Sequence, residues 1–434
     1  MRRDIVHPGA DELTYEIREI VAVGEELRAL GVNIYWENIG DPVAKGHPVP
    51  DWIKTTVAEI VRSEDAAWGY SPTKGVAATR EFIANIRNQE TGQTLAPDDI
   101  LFCNGLGDAI QTAFMYLHPA TRVLGPNPAY PTHSSAEAAH AGSEHLTYDL
   151  LPERGWLPDL DDMYQKVKYN PTIGGILIIN PDNPTGIVYP EHILRGIVDI
   201  AREFGLFIMS DEIYASVVFG DVPMTPLATV LGDVPGLAMR GLSKEVPWPG
   251  SRCGWIEFYN TGSDANFARY QKALVDAKQL EVCATTLPQA ALPRILSDPR
   301  YEEHLTTTAA CYRARAEELT AALANISGLT IVEPQGAFYA SPVFADGVLT
   351  TTQSLPIADE AVRAFIEARV ENVAPDKRFV YYLMAATGIC VVPLSGMNSD
   401  RDGFRVTLLE PADARFSELC TTLAESIRAY LASG

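Results

Sequence analysis

Apolar positions change their spacing along the chain, and these changes predict its elements. Residues 11–31 carry apolar side chains at roughly helical spacing and end at Gly31, which predicts an N-terminal helical arm. From about residue 98, short apolar runs alternate with helical patterns, as in a parallel sheet with crossover helices. The clearest run, residues 175–179, has no polar alternation and predicts a strand buried on both faces. The pattern therefore predicts an α/β protein.

The domain organisation follows from the same pattern. Alternating strand and helix signals dominate residues 49–310, which we predict to be a large domain. Shorter strand signals and a closing helix at 417–431 predict a smaller α+β domain over residues 311–434. Residues 1–48 are predicted to form an arm that is part of the small domain.

Polar groups follow five of the predicted strands, at the point where each strand ends. They are the glycine turn at 105–107, Tyr130, Asn183, Asp211 with Tyr214, and Ser243 with Lys244. Ligands of doubly wound sheets bind outside the carboxyl ends of the strands. We therefore expect these five groups to converge on one site.

Lys244 is the residue with the most specific chemistry among them. It follows a short apolar run and Ser243, and Arg252 stands further on in a Gly/Pro-rich loop. A lysine amine condenses with an aldehyde once desolvation or a neighbouring cation lowers its pKa. Ser243 and Arg252 can bind a phosphate through a hydroxyl and a planar guanidinium. Together these chemistries suggest pyridoxal phosphate, whereas the segment alone is equally compatible with a solvated lysine and a surface ion pair.

Two other groups fit the same ligand. The turn at 105–107 joins a strand to a helix, where backbone N–H groups and the helix dipole favour an anion. Tyr130 is flanked by prolines, and a rigidly held aromatic ring can stack on a planar cofactor. Taken singly, the glycines indicate a tight turn and the tyrosine a core residue. Their coincidence with Lys244 favours the cofactor.

Composition narrows the class of protein. The 434 residues are 47% hydrophobic and 21% charged, which is enough for two domains with a sizeable core. The formal net charge of -22 disfavours nucleic acid and anionic membranes as partners. Six scattered cysteines without a CxxC pair favour a reducing compartment and offer no zinc site. Since no apolar signal core or membrane-spanning run is present, we expect a cytoplasmic protein.

Several motifs stand in an order and spacing that resembles one known family. They are Tyr70, Asn-Pro-Thr-Gly at 183–186, Asp-Glu-Ile-Tyr at 211–214, Ser243 and Lys244 with Arg252, and Arg405 in Phe-Arg-Val-Thr. The set resembles class I/II aminotransferases, pyridoxal-phosphate enzymes of fold type I, over nearly the whole chain. Residues 15–18, 38–42, 156–162 and 387–393 are most similar to the alanine aminotransferase branch. The resemblance implies a large domain with a mostly parallel seven-stranded sheet between helices and a smaller α+β domain.

The resemblance also implies roles around the cofactor ring. Lys244 would form the Schiff base with pyridoxal phosphate and then move a proton between the substrate Cα and the cofactor. Asp211 would pair with the pyridinium nitrogen, so that the ring can accept electrons. Asn183 and Tyr214 would hydrogen-bond the ring oxygen, and Tyr130 would stack on the ring.

The remaining implied roles concern the phosphate and the substrate. The implied phosphate ligands are the Gly105 turn, the backbone amides of Leu106 and Gly107, Ser243, Arg252, and Tyr70 from the neighbouring subunit of a homodimer. The implied substrate pocket holds the α-carboxylate on the bidentate fork of Arg405, beside the Gly40 backbone, Tyr15 and Asn183. No metal ion is expected.

The chain departs from the family pattern at three places. Gly107 stands where relatives usually have Ser or Thr, which removes a phosphate contact and predicts weaker cofactor binding. The loop at 245–249, Glu-Val-Pro-Trp-Pro, is unusual and bears on the choice of substrate. The stretch 344–387 is longer and more polar than the family pattern and includes an amphipathic helix at 358–370.

The leading hypothesis is a transaminase that passes an amino group between an L-amino acid, of alanine or glutamate type, and a 2-oxo acid. The same fold and cofactor leave open a β-lyase, a decarboxylase, or an aspartate or aromatic aminotransferase. A non-catalytic ligand-sensing module of a transcription regulator is disfavoured by the short arm and the acidic charge. The amino donor depends on one or two loop contacts, which the sequence does not position.

Overall fold

Helices and strands alternate along the chain as the pattern predicts. A computed structural model describes residues 5–7, 9–13 and 16–434. Its α-helices are α1 (Glu16–Ala29), α2 (Asp51–Ser63), α3 (Ala77–Thr91), α4 (Leu106–Met115), α5 (Pro131–Ala141), α6 (Leu160–Tyr169), α7 (Glu191–Phe204), α8 (Leu227–Val230), α9 (Ala265–Leu280), α10 (Thr286–Leu296), α11 (Pro299–Leu323), α12 (Glu360–Glu367), α13 (Pro375–Thr387) and α14 (Asp413–Leu431). Among these described helices, none is long and apolar enough to span a membrane.

The strands group into one large sheet and three small ones. They are β1 (Tyr35–Trp36), β2 (Ile100–Cys103), β3 (Arg122–Asn127), β4 (Thr147–Leu151), β5 (Leu157–Pro158), β6 (Ile173–Ile179), β7 (Phe207–Asp211), β8 (Gly236–Gly241), β9 (Gly254–Tyr259), β10 (Leu329–Thr330), β11 (Tyr339–Ala340), β12 (Val343–Phe344), β13 (Ile389–Cys390), β14 (Val392–Pro393) and β15 (Phe404–Thr407). The large sheet has the order β2-β9-β8-β7-β6-β3-β4-β5.

The large sheet is mostly parallel, which confirms the prediction. The neighbouring strands from β8 to β4 are parallel to each other. β9 runs antiparallel to both of its neighbours, and β5 runs antiparallel to β4. The sheet has eight strands rather than the predicted seven. One of the eight is the two-residue edge strand β5, which is too short to produce a periodic signal.

The central strands are buried on both faces because helices cover each side of the sheet. Successive side chains of a strand point to opposite faces. Ile176 and Ile178 of β6 share a core cluster with Leu194 of α7. Leu177, between them, belongs to a second cluster with Ile110 of α4. The unbroken apolar run of β6 therefore serves two cores, one on each face.

Residues from both ends of the chain share a further core. Ile20 and Leu27 of α1 belong to it, together with Phe379 of α13 and Phe416 of α14. Residues 35–36 and 329–407 also form the three small sheets, which are the antiparallel sheet β11-β15-β14 and the pairs β1-β13 and β10-β12. α11 continues unbroken across residue 310, and its Leu319 packs into this core. The domain bounds at residues 48 and 310 stay predictions.

Candidate active site

The polar groups predicted from the sequence stand at one edge of the large sheet. β6, β7 and β8 are parallel neighbours, so their carboxyl ends meet at the same edge. Asp211 is the last residue of β7, and the loops after β6 and β8 carry Asn183 and Lys244. The loops after β3 and β2 carry Tyr130 and Gly105.

Asp211 is a buried carboxylate with two donors. Its Oδ2 lies 2.9 Å from Nε2 of the equally buried His133 of α5. Its Oδ1 accepts a hydrogen bond from the backbone N–H of Ile213 at 3.0 Å. Such partners are required because an unpaired buried carboxylate is strongly unfavourable. The sequence reasoning missed His133, and its one signal was its position one helical turn after Tyr130.

Lys244 extends from the loop after β8 between aromatic rings. Its Nζ donates a hydrogen bond to the backbone oxygen of Gly40 at 2.7 Å. The same nitrogen lies 5.7 Å from the ring centroid of Tyr214 and 5.5 Å from that of Phe338. The structure thus brings Gly40, 204 residues earlier in the chain, to the lysine.

Tyr214 forms a buried hydroxyl pair with Tyr339 of β11. Their hydroxyl oxygens lie 3.1 Å apart. Burial and the neighbouring phenol of Tyr339 raise the pKa of Tyr214 well above its ordinary value. Tyr214 is therefore a neutral O–H group that can donate a hydrogen bond. The sequence reasoning also missed Tyr339, because an aromatic side chain in a predicted strand is more often a core residue.

Arg405 of β15 is a buried cation with neutral partners. Its guanidinium donates hydrogen bonds to Oδ1 of Asn183 at 3.0 Å and to the backbone oxygen of Asn38 at 2.7 Å. The guanidinium carbon lies 4.4 Å from the ring centroid of Tyr339, and Nε has no partner in the described part of the chain. Only 2% of Arg405 is exposed. A buried guanidinium in such surroundings favours an anionic ligand.

The N-terminus of α4 and Arg252 together form an electropositive corner. Gly105 caps the helix with φ at 83°, in the region that favours glycine. A Cβ atom on Gly105 would lie 2.6 Å from the Arg252 guanidinium, so the arginine closely approaches the turn. Arg252 donates to two backbone carbonyls, at 3.2 and 3.3 Å. Leu106 and Gly107 supply backbone N–H groups in the first turn of α4, where no intrahelical acceptor exists.

Comparison with known proteins shows the family of the chain. The family model of aminotransferase class I and II matches residues 35–423. The chain belongs to the class I and II aminotransferases. This aminotransferase is 49% identical over 431 residues to an uncharacterized aminotransferase of Methanocaldococcus jannaschii, covering 99% of this chain and 100% of that relative.

Two further comparisons concern alanine aminotransferases. The aminotransferase is 31% identical over 337 residues to the glutamate-pyruvate aminotransferase AlaA of Escherichia coli, covering 76% of this chain and 80% of that one. The solved structure of the alanine aminotransferase from Pyrococcus furiosus matches it with a TM-score of 0.83 and 25% identity, over the full length of both chains. The fold is therefore that of the type I aminotransferases.

Aminotransferases of this family use pyridoxal phosphate, and the residues present fit this cofactor. The groups present are a half-buried lysine amine, a buried carboxylate acceptor and a helix N-terminus beside an arginine. The space at Gly107 is open, because a Cβ atom there would meet nothing within 4 Å. Ser243 stands half-buried beside Lys244. A phosphate, an aldehyde and a ring nitrogen each find a suitable partner type in this set.

Three tyrosines complete the set of predicted site residues. Tyr70 is 86% exposed and, with Trp68, lines a cavity of about 700 Å³ that reaches Asn104, next to the glycine turn. Tyr130 meets the ring of His133 edge to face, with centroids 6.4 Å apart. Tyr15 lies outside the described residues.

The unusual loop at 245–249 contacts α11 at its start. The Nε2 atom of His304 lies 3.0 Å from the backbone oxygen of Glu245. Burial and the neighbouring Glu245 raise the pKa of Tyr301 well above its ordinary value. The residue that follows Lys244 is thus held by the first two turns of a long helix.

Proposed function

We propose that this aminotransferase passes an amino group between an L-amino acid of alanine or glutamate type and a 2-oxo acid. The observation that carries the proposal is the buried guanidinium of Arg405, which shares Tyr339 with the pocket of Lys244 and Tyr214. An anionic α-carboxylate bound there would lie in the same pocket as the lysine amine. The alanine or glutamate type is supported by the similarity to AlaA of Escherichia coli.

Lys244 would carry the cofactor and transfer the proton. Its half-buried amine lies 5.7 and 5.5 Å from the ring centroids of Tyr214 and Phe338, which hold it within the pocket. Pyridoxal phosphate, when bound, supplies an electron-accepting ring at the substrate Cα. When it is free, the Lys244 amine would act as the base that moves a proton between the substrate Cα and the cofactor.

Asp211 would hold a proton on the ring nitrogen. Its carboxylate is oriented by His133 and by the backbone of Ile213, so it needs no rearrangement to accept that hydrogen bond. Asn183 and Tyr214 would donate to the ring oxygen, and Tyr130 would pack on the ring from the start of α5. These roles agree with the burial of the polar side chains of Asp211, Asn183 and Tyr214.

The electropositive corner would bind the phosphate. The backbone amides of Leu106 and Gly107, the hydroxyl of Ser243 and the fork of Arg252 offer donors of the types that phosphate prefers. Tyr70, which is 86% exposed in the single chain and so available to a partner, would contribute from a second subunit. We accordingly propose a homodimer with shared sites. The cytoplasmic location stays a prediction.

Arg405 would be the central residue of the substrate pocket. The guanidinium would bind the α-carboxylate as a fork, with Asn183 and the Gly40 backbone on either side. Gly40 is required there, because a Cβ atom would lie 1.9 Å from the Tyr339 hydroxyl. Tyr15 is proposed as a further pocket residue.

The test is the absorbance spectrum of the cofactor-loaded protein with a panel of L-amino acids. We expect the visible band of the lysine-bound cofactor to disappear with alanine or glutamate and to return with a 2-oxo acid. Lys244→Ala should lose the band and the turnover, whereas the exposed Lys54→Ala should keep both. Ammonia release from β-substituted donors would instead favour a β-lyase, and a faster response to aspartate or tyrosine would favour those aminotransferases.

A further inference from the structure

Tyr339 touches three separate parts of the proposed site. Its hydroxyl lies 3.1 Å from the Tyr214 hydroxyl. Its ring lies against the Arg405 guanidinium, 4.4 Å from centroid to carbon. The hydroxyl also occupies the space that a side chain on Gly40 would need. Tyr339 is only 2% exposed, so these contacts hold it in one place.

We propose that Tyr339 is a positioning residue that orients the Tyr214 hydroxyl and the Arg405 guanidinium together. Through its hydroxyl it would set the direction in which Tyr214 donates, and through its ring it would set the plane of the substrate-binding fork. The inference rests on the function proposed above and assigns Tyr339 no contact with the reacting atoms.

The hydroxyl part follows from the number of protons available. The two hydroxyl oxygens lie 3.1 Å apart, and each phenolic hydroxyl has one proton to donate. If Tyr214 donates to Tyr339, its proton is unavailable to the cofactor. If Tyr339 donates, Tyr214 is free to donate to the ring oxygen. Hydrogen bonds in such a chain also polarise and strengthen one another.

Other groups act on the pair from the surrounding elements. Tyr130, at the start of α5, and Arg405, of β15, act on Tyr214. Lys244 lies over the Tyr214 ring, and Tyr312 of α11 acts electrostatically with Tyr339. The Arg405 guanidinium lies against the Tyr339 ring and favours negative charge that develops on this phenol. Its position supports donation from Tyr339 through Tyr214 toward the cofactor oxygen.

The ring part follows from the cation–π geometry. A guanidinium stacked on an aromatic face keeps its plane fixed while its edge donates hydrogen bonds. Arg405 uses that edge for Asn183 and the Asn38 backbone. Phenylalanine at position 339 would retain this stacking and lose the hydroxyl, whereas leucine would lose both. The two functions of Tyr339 can therefore be separated.

The experiment compares cofactor-loaded wild type, Tyr339→Phe and Tyr339→Leu. Weaker donation to the ring oxygen favours the protonated lysine–cofactor linkage. We therefore expect Tyr339→Phe to raise the apparent pKa of the visible band by roughly half a unit to one unit. Its kcat should fall roughly threefold to tenfold, with the donor KM within about twofold of wild type. Tyr339→Leu should raise the donor KM roughly fivefold or more as well.

Tyr430→Phe is the matched control, since it removes a hydroxyl from a buried tyrosine of the same core whose ring meets Phe379 and Tyr382 rather than Tyr214 or Tyr339. It should titrate as wild type does. If wild type shows its band and turnover, a Tyr339→Phe spectrum that titrates like wild type would overturn the inference, as would an equal pKa change in Tyr430→Phe. Absence of band and turnover in wild type itself would instead overturn the proposed function.

Discussion

Replacing Asp182 by Asn is expected to make the stability of the aminotransferase less dependent on pH. Asp182 is fully buried beside Asn183, and its Oδ2 accepts hydrogen bonds from the N–H and the hydroxyl of Thr185, at 3.0 and 2.5 Å. Its Oδ1 has no partner within the residues described. Burial, opposed by the bonds from Thr185, raises the pKa of Asp182 to about 7.

The folded protein therefore binds a proton at Asp182 that the unfolded chain releases. The ordinary pKa of the carboxyl is 3.8, so the two states differ in bound protons between about pH 4 and pH 7. The stability from this proton is complete below the unfolded pKa and is lost as the pH rises to about 7. Between about pH 5 and pH 8 the loss corresponds to about 2.6 kcal/mol.

The assay is urea unfolding of wild type and Asp182→Asn, both loaded with cofactor, at about pH 5 and pH 8. Asn keeps the shape and an acceptor oxygen for Thr185 but does not ionise. Its free energy of unfolding relative to wild type should rise by roughly 2–3 kcal/mol between the two pH values. The exposed Asp346→Asn is the control and should follow wild type. Parallel curves for wild type and Asp182→Asn would refute the reasoning.

Three further substitutions test the proposed binding site. Arg405→Lys keeps the charge but loses the fork and its two hydrogen bonds, so kcat/KM for the amino donor should fall roughly 10²- to 10⁴-fold; a loss below about fivefold would contradict its role. Gly107→Ser places a hydroxyl in open space at the helix N-terminus, so the cofactor Kd, measured by fluorescence titration, should decrease roughly tenfold; an unchanged Kd would mean that this position does not face the phosphate. Gly40→Ala should displace the Tyr339 hydroxyl and lower kcat/KM by tenfold or more, because its Cβ would lie 1.9 Å from that oxygen; wild-type kinetics would show that the loop shifts freely.

The order of elements could be predicted because the signals that encode it are local. The apolar run of β6 and the polar turn that begins after it are adjacent in the chain, so Asn183 could be assigned to a strand end. The same reasoning assigned Asp211 and Lys244 to neighbouring strand ends. The predicted amphipathic helix near residue 360 corresponds to α12. β5 was missed because two residues carry no period.

The pairs within the site could not be predicted in this way. His133 and Asp211 are 78 residues apart, Tyr214 and Tyr339 are 125 apart, and Asn183 and Arg405 are 222 apart. A histidine in a helix and a tyrosine in a strand carry no sequence mark of the partner that they will meet. The orientation of each side chain depends on packing between elements rather than on its own segment.

The sequence by itself therefore determined which segments form strands and helices and which chemical groups stand at their ends. This is so because backbone periodicity and turn residues act over a few positions. Only the tertiary structure decided that Tyr339 lies between Tyr214 and Arg405, and that His133 lies against Asp211. Those contacts depend on the order of strands in the sheet and on how the arm and the C-terminal residues pack, which no local pattern specifies.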